Sequence, residues 1–518
     1  MQKLLIKDAF RQILWRVISA IGWFVVVKLM TPYLGPLRYG DYSTILKYFA
    51  IRSAFADFGL YVIALRTLGE IRDKIRDKLV RAKKNTNIQH AEHVAIQIPD
   101  GNEWDDAINT LVTKEWWEVD IKIDDHEITN TPEMQSYYGK FVWSRFITVT
   151  IVYTVALLIA YLIPAYTSNP YLVWWLPLGM LFSASFMIAG ILQLPLQLYR
   201  WMKHVSIALT LARISQIIVI VGLLFTYKNI DFASGDSRSI TAFLLMIWSV
   251  LLSAIVQWTY VRKTSNTFVK LSLKPDRWFT RKILKDNRKY GLAYCLSSLH
   301  TLGVLILLGI FFPTANGFEY VGIWAVASAL MEILLIVPSS LWNSIIPKIS
   351  SYTVEETRKV FGSLLLFVMR IGWIFFINFS VFRESIISFV SWKGYLSMFT
   401  GWWWSDTILP WLSLVLLFTF AKQVYNFLFV ALDLNNKLLK VNGIGIIIGA
   451  IIGFIAIPRY WIAGAIFTQM AMEIVYTFGS ILIAHKNHAQ LKFSWKMMGF
   501  ISLLIIASTI GGRYLFGS

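Results

Sequence analysis

The sequence predicts an all-α polytopic membrane protein whose spans fall into two bundles of six. Three observations carry this. The 518 residues are 56% hydrophobic, with 35 Phe, 23 Tyr and 22 Trp, far too apolar for a soluble domain of this length. Thirteen stretches are long enough to cross a bilayer as helices, which takes about 20 predominantly apolar residues: roughly 12–30, 40–65, 141–163, 172–198, 205–226, 241–261, 291–312, 320–346, 361–382, 408–432, 441–457, 462–484 and 497–516. The longest basic connection, Arg262–Lys289, follows the sixth stretch and so divides the chain near its middle.

These boundaries give four regions: an N-terminal bundle, 1–261, with a cytoplasmic insertion at 66–140; a basic cytoplasmic linker, 262–290; a C-terminal bundle, 291–484; and an extra C-terminal span within 485–518. Residues 1–11 read as a short amphipathic lead-in. Arg66–Lys84 repeats Ile71, Ile75 and Leu79 at four-residue spacing, with Arg72 and Arg76 between them, the pattern of an amphipathic helix lying on the inner leaflet. Between about 90 and 136 the composition turns acidic. Alternating Val94-Ile96-Ile98 and Val119-Ile121-Ile123, with a helical pattern near Trp104–Val112, predict a small α/β module and a cytoplasmic protein partner for it.

The formal net charge is +19. With the N-terminus cytoplasmic, thirty-one Lys and Arg fall in connections on that side and seven on the other, which sets the orientation by the positive-inside rule and places the chain in the cytoplasmic membrane. The basic excess thereby reads as topology plus attraction to anionic lipid headgroups, not nucleic-acid binding. The single cysteine, Cys295, excludes an intramolecular disulfide and reads as a small buried hydrophobe. Trp174-Trp175 and Trp402 to Trp404 fall at span ends, as in an aromatic belt.

The run Thr31–Leu60 sets the functional question. A Pro/Gly-punctuated turn leads into an apolar segment carrying Lys47, Arg52 and Asp57. A charge at bilayer depth costs about 2.5–3.5 kcal/mol on insertion scales, so such residues line a polar cavity or pair with one another. The other ionisable residues within spans are Arg16, Lys28, Arg145, Arg213, Glu332, Arg370, Lys422 and Glu473. Cations outnumber anions, which points to an anionic ligand; an arginine fork suits phosphate through two parallel hydrogen bonds. Arg16, Lys28, Lys47, Arg52, Arg213, Arg370 and Lys422 are the candidate substrate-binding residues, and Asp57, Glu332 and Glu473 are coupling or structural carboxylates. Glu332 with Arg370, and Asp57 with an arginine of a neighbouring helix, are the structural pairings to look for. No nucleotide-binding loop, metal-ligand spacing or nucleophile elbow is present, so the residues give no catalytic, cofactor or metal site.

The two halves repeat in kind. Offset by 282 residues, Gly322 falls opposite Gly40 and FFPTANG opposite LMTPYLG. Internal repeats build many transporters, with the binding site at the repeat interface.

The run YLGPLRYGDYSTILKYFAIRSAFADFGL, followed by Arg66, resembles the signature of polysaccharide (Wzx-type, O-antigen) flippases. EYVGIWAVASALMEILLIVPSSLWNSIIPKIS, with Pro347, and YWIAGAIFTQMAMEIVY resemble two further segments of that family, and the motifs occur in the family's order. The resemblance implies the multidrug/oligosaccharidyl-lipid/polysaccharide exporter fold, with two six-helix bundles in MATE-like pseudo-twofold symmetry around a central cavity. It implies a monomeric flippase for a polyprenyl-diphosphate-linked oligosaccharide, acting by alternating access, without enzymatic activity or cofactor. Flipping of a lipid-linked peptidoglycan precursor and cation-coupled drug antiport use the same fold; a membrane glycan polymerase is the alternative from another class. The chain departs from the family pattern at His300 and Thr301, where many relatives carry Asp, in the 90–136 insertion, and in the thirteenth span.

Overall fold

A computed structural model of the chain describes residues 2–95, 125–129, 131–198, 202–228, 230, 232, 236–311, 315–335, 338, 353–391, 395–396, 405–432, 434–487 and 491. Among the described residues the structure is helical throughout: α1 (Gln2–Asp57), α2 (Leu60–Ala95), α3 (Asp125–Thr129), α4 (Pro132–Tyr161), α5 (Pro164–Thr167), α6 (Pro170–Val173), α7 (Leu176–Leu192), α8 (Leu194–Leu198), α9 (Met202–Thr226), α10 (Ser237–Asn266), α11 (Arg277–Asp286), α12 (Arg288–Phe311), α13 (Ala315–Leu334), α14 (Val354–Val381), α15 (Arg383–Val390), α16 (Ser405–Ala431) and α17 (Asn435–Lys486). Among the described residues, eight helical stretches are long and apolar enough to cross a membrane by length and composition. Two of these double back and supply two crossings each. With α12 and α13 the described helices occupy the positions of the first twelve expected spans; the thirteenth, 497–516, lies outside the described residues.

Both reversals can be read from local chemistry. In α1 the chain breaks at Gly35, whose φ of 68° is a left-handed value that side chains resist. Trp23 on one side of the break and Lys47 on the other then line the same pocket. In α17 the break is at Trp461, φ 52°, three residues after Pro458. The two arms pack tightly because Gly445, Gly449 and Gly453 recur every four residues, and each faces a side chain of the returning arm: Tyr476, Met472 and Thr468 respectively. Small residues at one helix face let backbones approach, which is the main source of helix association where lipid removes the hydrophobic drive.

Six crossings from α1, α4, α7, α9 and α10 form one bundle, and six from α12, α13, α14, α16 and α17 the other. The bundles meet along α1, which contacts α13 and α12, and near its kink α15. We call the end holding Pro32–Pro36 the turn end, and the end holding Arg262–Lys289 the linker end. At the turn end the second arm of α1 and α13 lie back to back. A Cβ at Gly40 would collide with the carbonyl of Phe318, and one at Gly322 with the carbonyl of Pro36. Pro36 to Phe318 and Gly40 to Gly322 are both separations of 282, so the register read from the sequence repeat is the register in which the spans pack across the pseudo-twofold axis.

The linker end departs from expectation. The second span stops at Asp57, where Phe58 (φ 44°) and Gly59 (φ 71°) break the helix, and α2 follows in a new direction. Ile71 and Ile75 do not lie on a leaflet: they are buried with Ile128, Met134, Tyr138, Leu198 and Val269 in a second apolar core. Arg72 donates to the carbonyl of Leu198 at 3.0 Å, and Lys83 pairs with Glu127 at 2.9 Å. Protein surface thus covers the stripe that the spacing assigned to lipid. Val94 is helical, the last turn of α2, where a strand was expected; the rest of the α/β pattern, 96–124, lies outside the described residues, as do Trp402 to Trp404 and Pro347. Cys295 is buried, with its thiol 3.5 Å from the carbonyl of Ala54.

Two substitutions test this architecture. Gly40→Ala or Gly322→Ala overpacks the seam by about 1–3 kcal/mol, which shifts the balance away from the state closed at the turn end by about 5- to 150-fold. Thiol labelling of a cysteine placed at the buried pocket residue Ala325 should rise accordingly; unchanged labelling would show that the seam does not hold that end shut.

Candidate functional site

Among the described residues, six of the charged side chains within the spans form three ion pairs, and Lys28, Arg52 and Arg213 sit against aromatic rings. Asp57 and Arg145 are paired with almost no exposure, 8% and 4% of their side chains, bracing the second arm of α1 against α4. Lys422 and Glu473 pair at 3.3 Å inside the second bundle, at 3% and 1% exposure, and Thr419 donates to the same carboxylate oxygen at 2.7 Å. Lys422 also lies 5.0 Å from the centre of the Tyr476 ring. Lys47 of the first bundle pairs with Glu332 of the second, and this pair alone of the three joins the halves; its side chains are 18% and 38% exposed. Glu332 therefore takes Lys47 as its partner in place of the expected Arg370, whose side chain is exposed on α14.

The Lys47–Glu332 pair forms one wall of a pocket between the bundles, lined also by Trp23, Tyr39, Tyr42, Ser43, Leu46, Ala325 and Ala329. Its cavity volume is about 20 Å³. Its floor is aromatic because α1 places Tyr39, Tyr42 and Ser43 within one turn of the Gly40 seam, where close backbone packing sends side chains to either side. Arg213 of α9 stands directly behind: its guanidinium lies 4.7 Å from the Trp23 ring centre and donates to Gln216 at 2.9 Å, and its stem fills the space beside Gly22. Tyr42 is 1% exposed and lies beside Arg213 and Gln216. The site thus combines two cations, one carboxylate and three aromatic faces, drawn from three spans of one bundle and one of the other.

Three more sequence candidates lie elsewhere. Arg52 stacks on the Tyr48 ring at 3.9 Å and reaches the Tyr48 carbonyl at 3.5 Å. Lys28, an exposed residue, lies 4.1 Å from the Phe389 ring centre of α15, a cation–π contact between the halves at the turn end. Arg16 belongs to α1, and its side chain is not among those described.

Sequence reasoning passed over Asp41. It is fully buried, paired with Arg38 at 2.9 Å and accepting from Asn169 at 2.7 Å, while Arg38 stacks on Tyr171 at 3.8 Å and donates to the carbonyl of Phe232. This network fastens the turn-end connections to the start of the second span. The available signal was the spacing of Arg38 and Asp41, three residues apart on one helix face. Among the described residues no group of His, Cys, Asp and Glu is arranged to hold a metal.

No protein-family model matches the sequence, and neither does any curated protein. Solved structures do. A mutant of the Vibrio cholerae MATE transporter VcmN is 11% identical over 94% of this chain and 97% of its own, with a TM-score of 0.61. The eukaryotic MATE transporter AtDTX14 is 14% identical over 93% of this chain and 95% of its own, with a TM-score of 0.56. An inward-facing multidrug resistance MATE transporter of the MOP superfamily covers 96% and 95%, at 12% identity and a TM-score of 0.52. At these identities the likeness is one of fold, and it runs the length of both partners: this chain is a multi-pass membrane protein with the MATE transporter fold.

Proposed function

We propose that the chain is a flippase for a polyprenyl-diphosphate-linked oligosaccharide, with the linker end facing the cytoplasm. The observation that carries this reading is the pocket at the bundle interface, where Lys47 meets a single carboxylate, Glu332, beside Trp23, Tyr39 and Tyr42, with Arg213 seated behind on the Trp23 ring. A net positive, aromatic-walled site suits a diphosphate with its attached sugars once the halves part and uncover the buried Tyr39 and Tyr42: the cations then meet the phosphate oxygens, and sugar C–H faces rest on Trp23, Tyr39 and Tyr42. The lipid tail stays in the bilayer. The excess of basic residues at the linker end supports the orientation, and the flippase-like order of motifs along the chain supports the substrate.

The Lys47–Glu332 pair supplies the differential contact that a ligand needs in order to shift a two-state equilibrium. With the site empty, Lys47 is neutralised by Glu332 and the halves are held together at mid-depth. An arriving diphosphate offers Lys47 a doubly charged partner on its own side of the seam. Glu332 is released to water, the link between bundles is lost, and the Gly40–Gly322 contact is left to hold the turn end by itself. Rocking of the halves then exposes the pocket to the other face. The reading assigns Lys28 to the turn-end closure and Lys422–Glu473 to the framework of the second bundle, while Arg52 and Arg370 would meet the substrate along its path.

In proteoliposomes holding a fluorescent polyprenyl-diphosphate oligosaccharide, Lys47→Met and Arg213→Met should each slow translocation about tenfold, the scale of losing one charge-assisted contact to phosphate of about 1.4 kcal/mol, and Lys47→Arg should retain most of the rate. Transport of the glycan lipid at wild-type rate by both Met variants would sink the site assignment. If the protein instead flips only a peptidoglycan precursor, or only expels cationic drugs from vesicles, the substrate reading fails.

A further inference from the structure

The linker helix α11 presents a surface that neither the pocket nor the bundle packing uses. One face is fixed. Asp276 caps the helix by accepting from the backbone of Phe279 at 2.8 Å, and pairs with Lys140 of α4 at 2.8 Å, whose ammonium, with that backbone bond, holds the carboxyl below its usual range. Thr280 meets Ser144 at 2.7 Å, and the Phe279 ring packs edge-on against Phe141 at 5.2 Å. The preceding stretch of linker is equally tight: a Cβ at Gly139 would strike the Ser272 carbonyl.

The opposite face is open. Trp278 is 69% exposed and Leu273 56%, and around them Lys274, Arg277, Arg281, Lys282 and Lys285 are all exposed, with the Lys282 ammonium 5.0 Å from the Trp278 ring centre. Asp286, at the end of the helix, is the one exposed acid beside them. An exposed tryptophan beside a leucine is costly in water, and a cluster of cations in such excess is costly in hydrocarbon.

Two neighbouring spans fix the depth at which this face lies. On α4, the contacts of α11 end at Ser144, and the exposed apolar belt begins at Phe146 and continues through Ile151, Val155 and Leu158. On α12, which follows α11 directly, Arg288 and Lys289 are exposed and the first exposed apolar side chain is Leu292. Both rulers put α11 at the edge of the apolar belt, the level of lipid headgroups. At that level an aromatic ring sits at the acyl boundary while Lys and Arg meet phosphates.

From this we infer that the exposed face of α11 is a docking surface for anionic phospholipid headgroups, with Leu273 and Trp278 seated at the acyl boundary and Arg281, Lys282 and Lys285 on the phosphates. The consequence is mechanical. α11 is clamped to the first bundle, and its chain passes through Asn287 into the second, so headgroup binding pins one side of the joint between the halves. This surface is separate from the pocket and stands whatever the transported molecule is.

The test uses full-length protein in nanodiscs of phosphatidylcholine with or without phosphatidylglycerol. Spin labels at Leu273→Cys and Trp278→Cys should collide more with oxygen than with a water-soluble nickel complex, and a label at Lys285→Cys the reverse; the buried Cys295 leaves the background low. In native mass spectrometry the wild type should retain phosphatidylglycerol over phosphatidylcholine, and the Arg281→Gln, Lys282→Gln, Lys285→Gln variant should lose that preference by about fivefold per neutralised charge. Excess glycerol phosphate should not displace the bound lipid; displacement would assign the face to free phosphate and overturn the proposal. Labels at 273 and 278 that sit in water would also overturn it, and would give the face to a soluble partner.

Discussion

Among the described residues the two halves meet backbone against backbone at the Gly40–Gly322 seam, and much of the architecture follows from it. Gly40 against the Phe318 carbonyl and Gly322 against the Pro36 carbonyl leave no room for even a methyl group. Helices that near each other put everything one or two turns further along within reach, and so Lys47, two turns from Gly40, meets Glu332, which lies nearly three turns from Gly322. The same contact closes the turn end, turns Tyr39 and Tyr42 aside into the pocket, and brings the chain after α14 over the seam, where Lys28 meets Phe389. Close-packed interiors respond to small displacements by switching between arrangements, not by stretching. A seam of two backbones is suited to such a switch, since it is either in contact or parted.

The repeat explains how one sequence builds this. The turn FFPTANG lies opposite LMTPYLG in the sequence alignment, and the two helices that follow these turns meet at equivalent residues. Yet the copies have diverged where chemistry is needed. At the offset of 282, Lys47 corresponds to Ala329 and Glu332 to Ala50. Symmetry in the backbone and asymmetry in the side chains give one ion pair across the axis instead of two, and hence one latch with a single polarity.

How far the sequence goes can be judged from particular residues. The spans, their division into two bundles and the Gly40–Gly322 register were legible because they rest on periodicities and on residues whose backbone needs are local. The pairing of Asp57 with an arginine was legible as a need, since a buried carboxylate must find a partner, but Arg145 as that partner was not, because a neighbour on another helix leaves no trace in linear spacing. For the same reason Glu332 found Lys47 and not Arg370. The apolar stripe of α2 has the spacing of a membrane-surface helix, and the spacing was read correctly; what covers the stripe depends on where the break at Phe58–Gly59 sends the chain, which a tertiary fold decides. The pocket's aromatic lining was hidden in plain view, because Tyr39 and Tyr42 look like ordinary residues of a membrane span until their neighbours are known.

Exposure separates the three ion pairs by role. In the membrane interior a charge pair that is nearly sealed off, such as Asp57–Arg145 or Lys422–Glu473, is a fixture: removing either partner strands the other, at about 3–5 kcal/mol. Neither pair can trade partners during a transport cycle without that penalty. Lys47–Glu332 differs in the property that matters, since both side chains keep part of their surface in the pocket and each group can be resolvated or taken up by a ligand as the other leaves. A group that must let go has to be partly wet before it does so. On the proposed reading, the partly exposed pair at the seam is the one among these charges that a substrate's own charge can displace, and the sealed pairs on either side tie the helices of each bundle together.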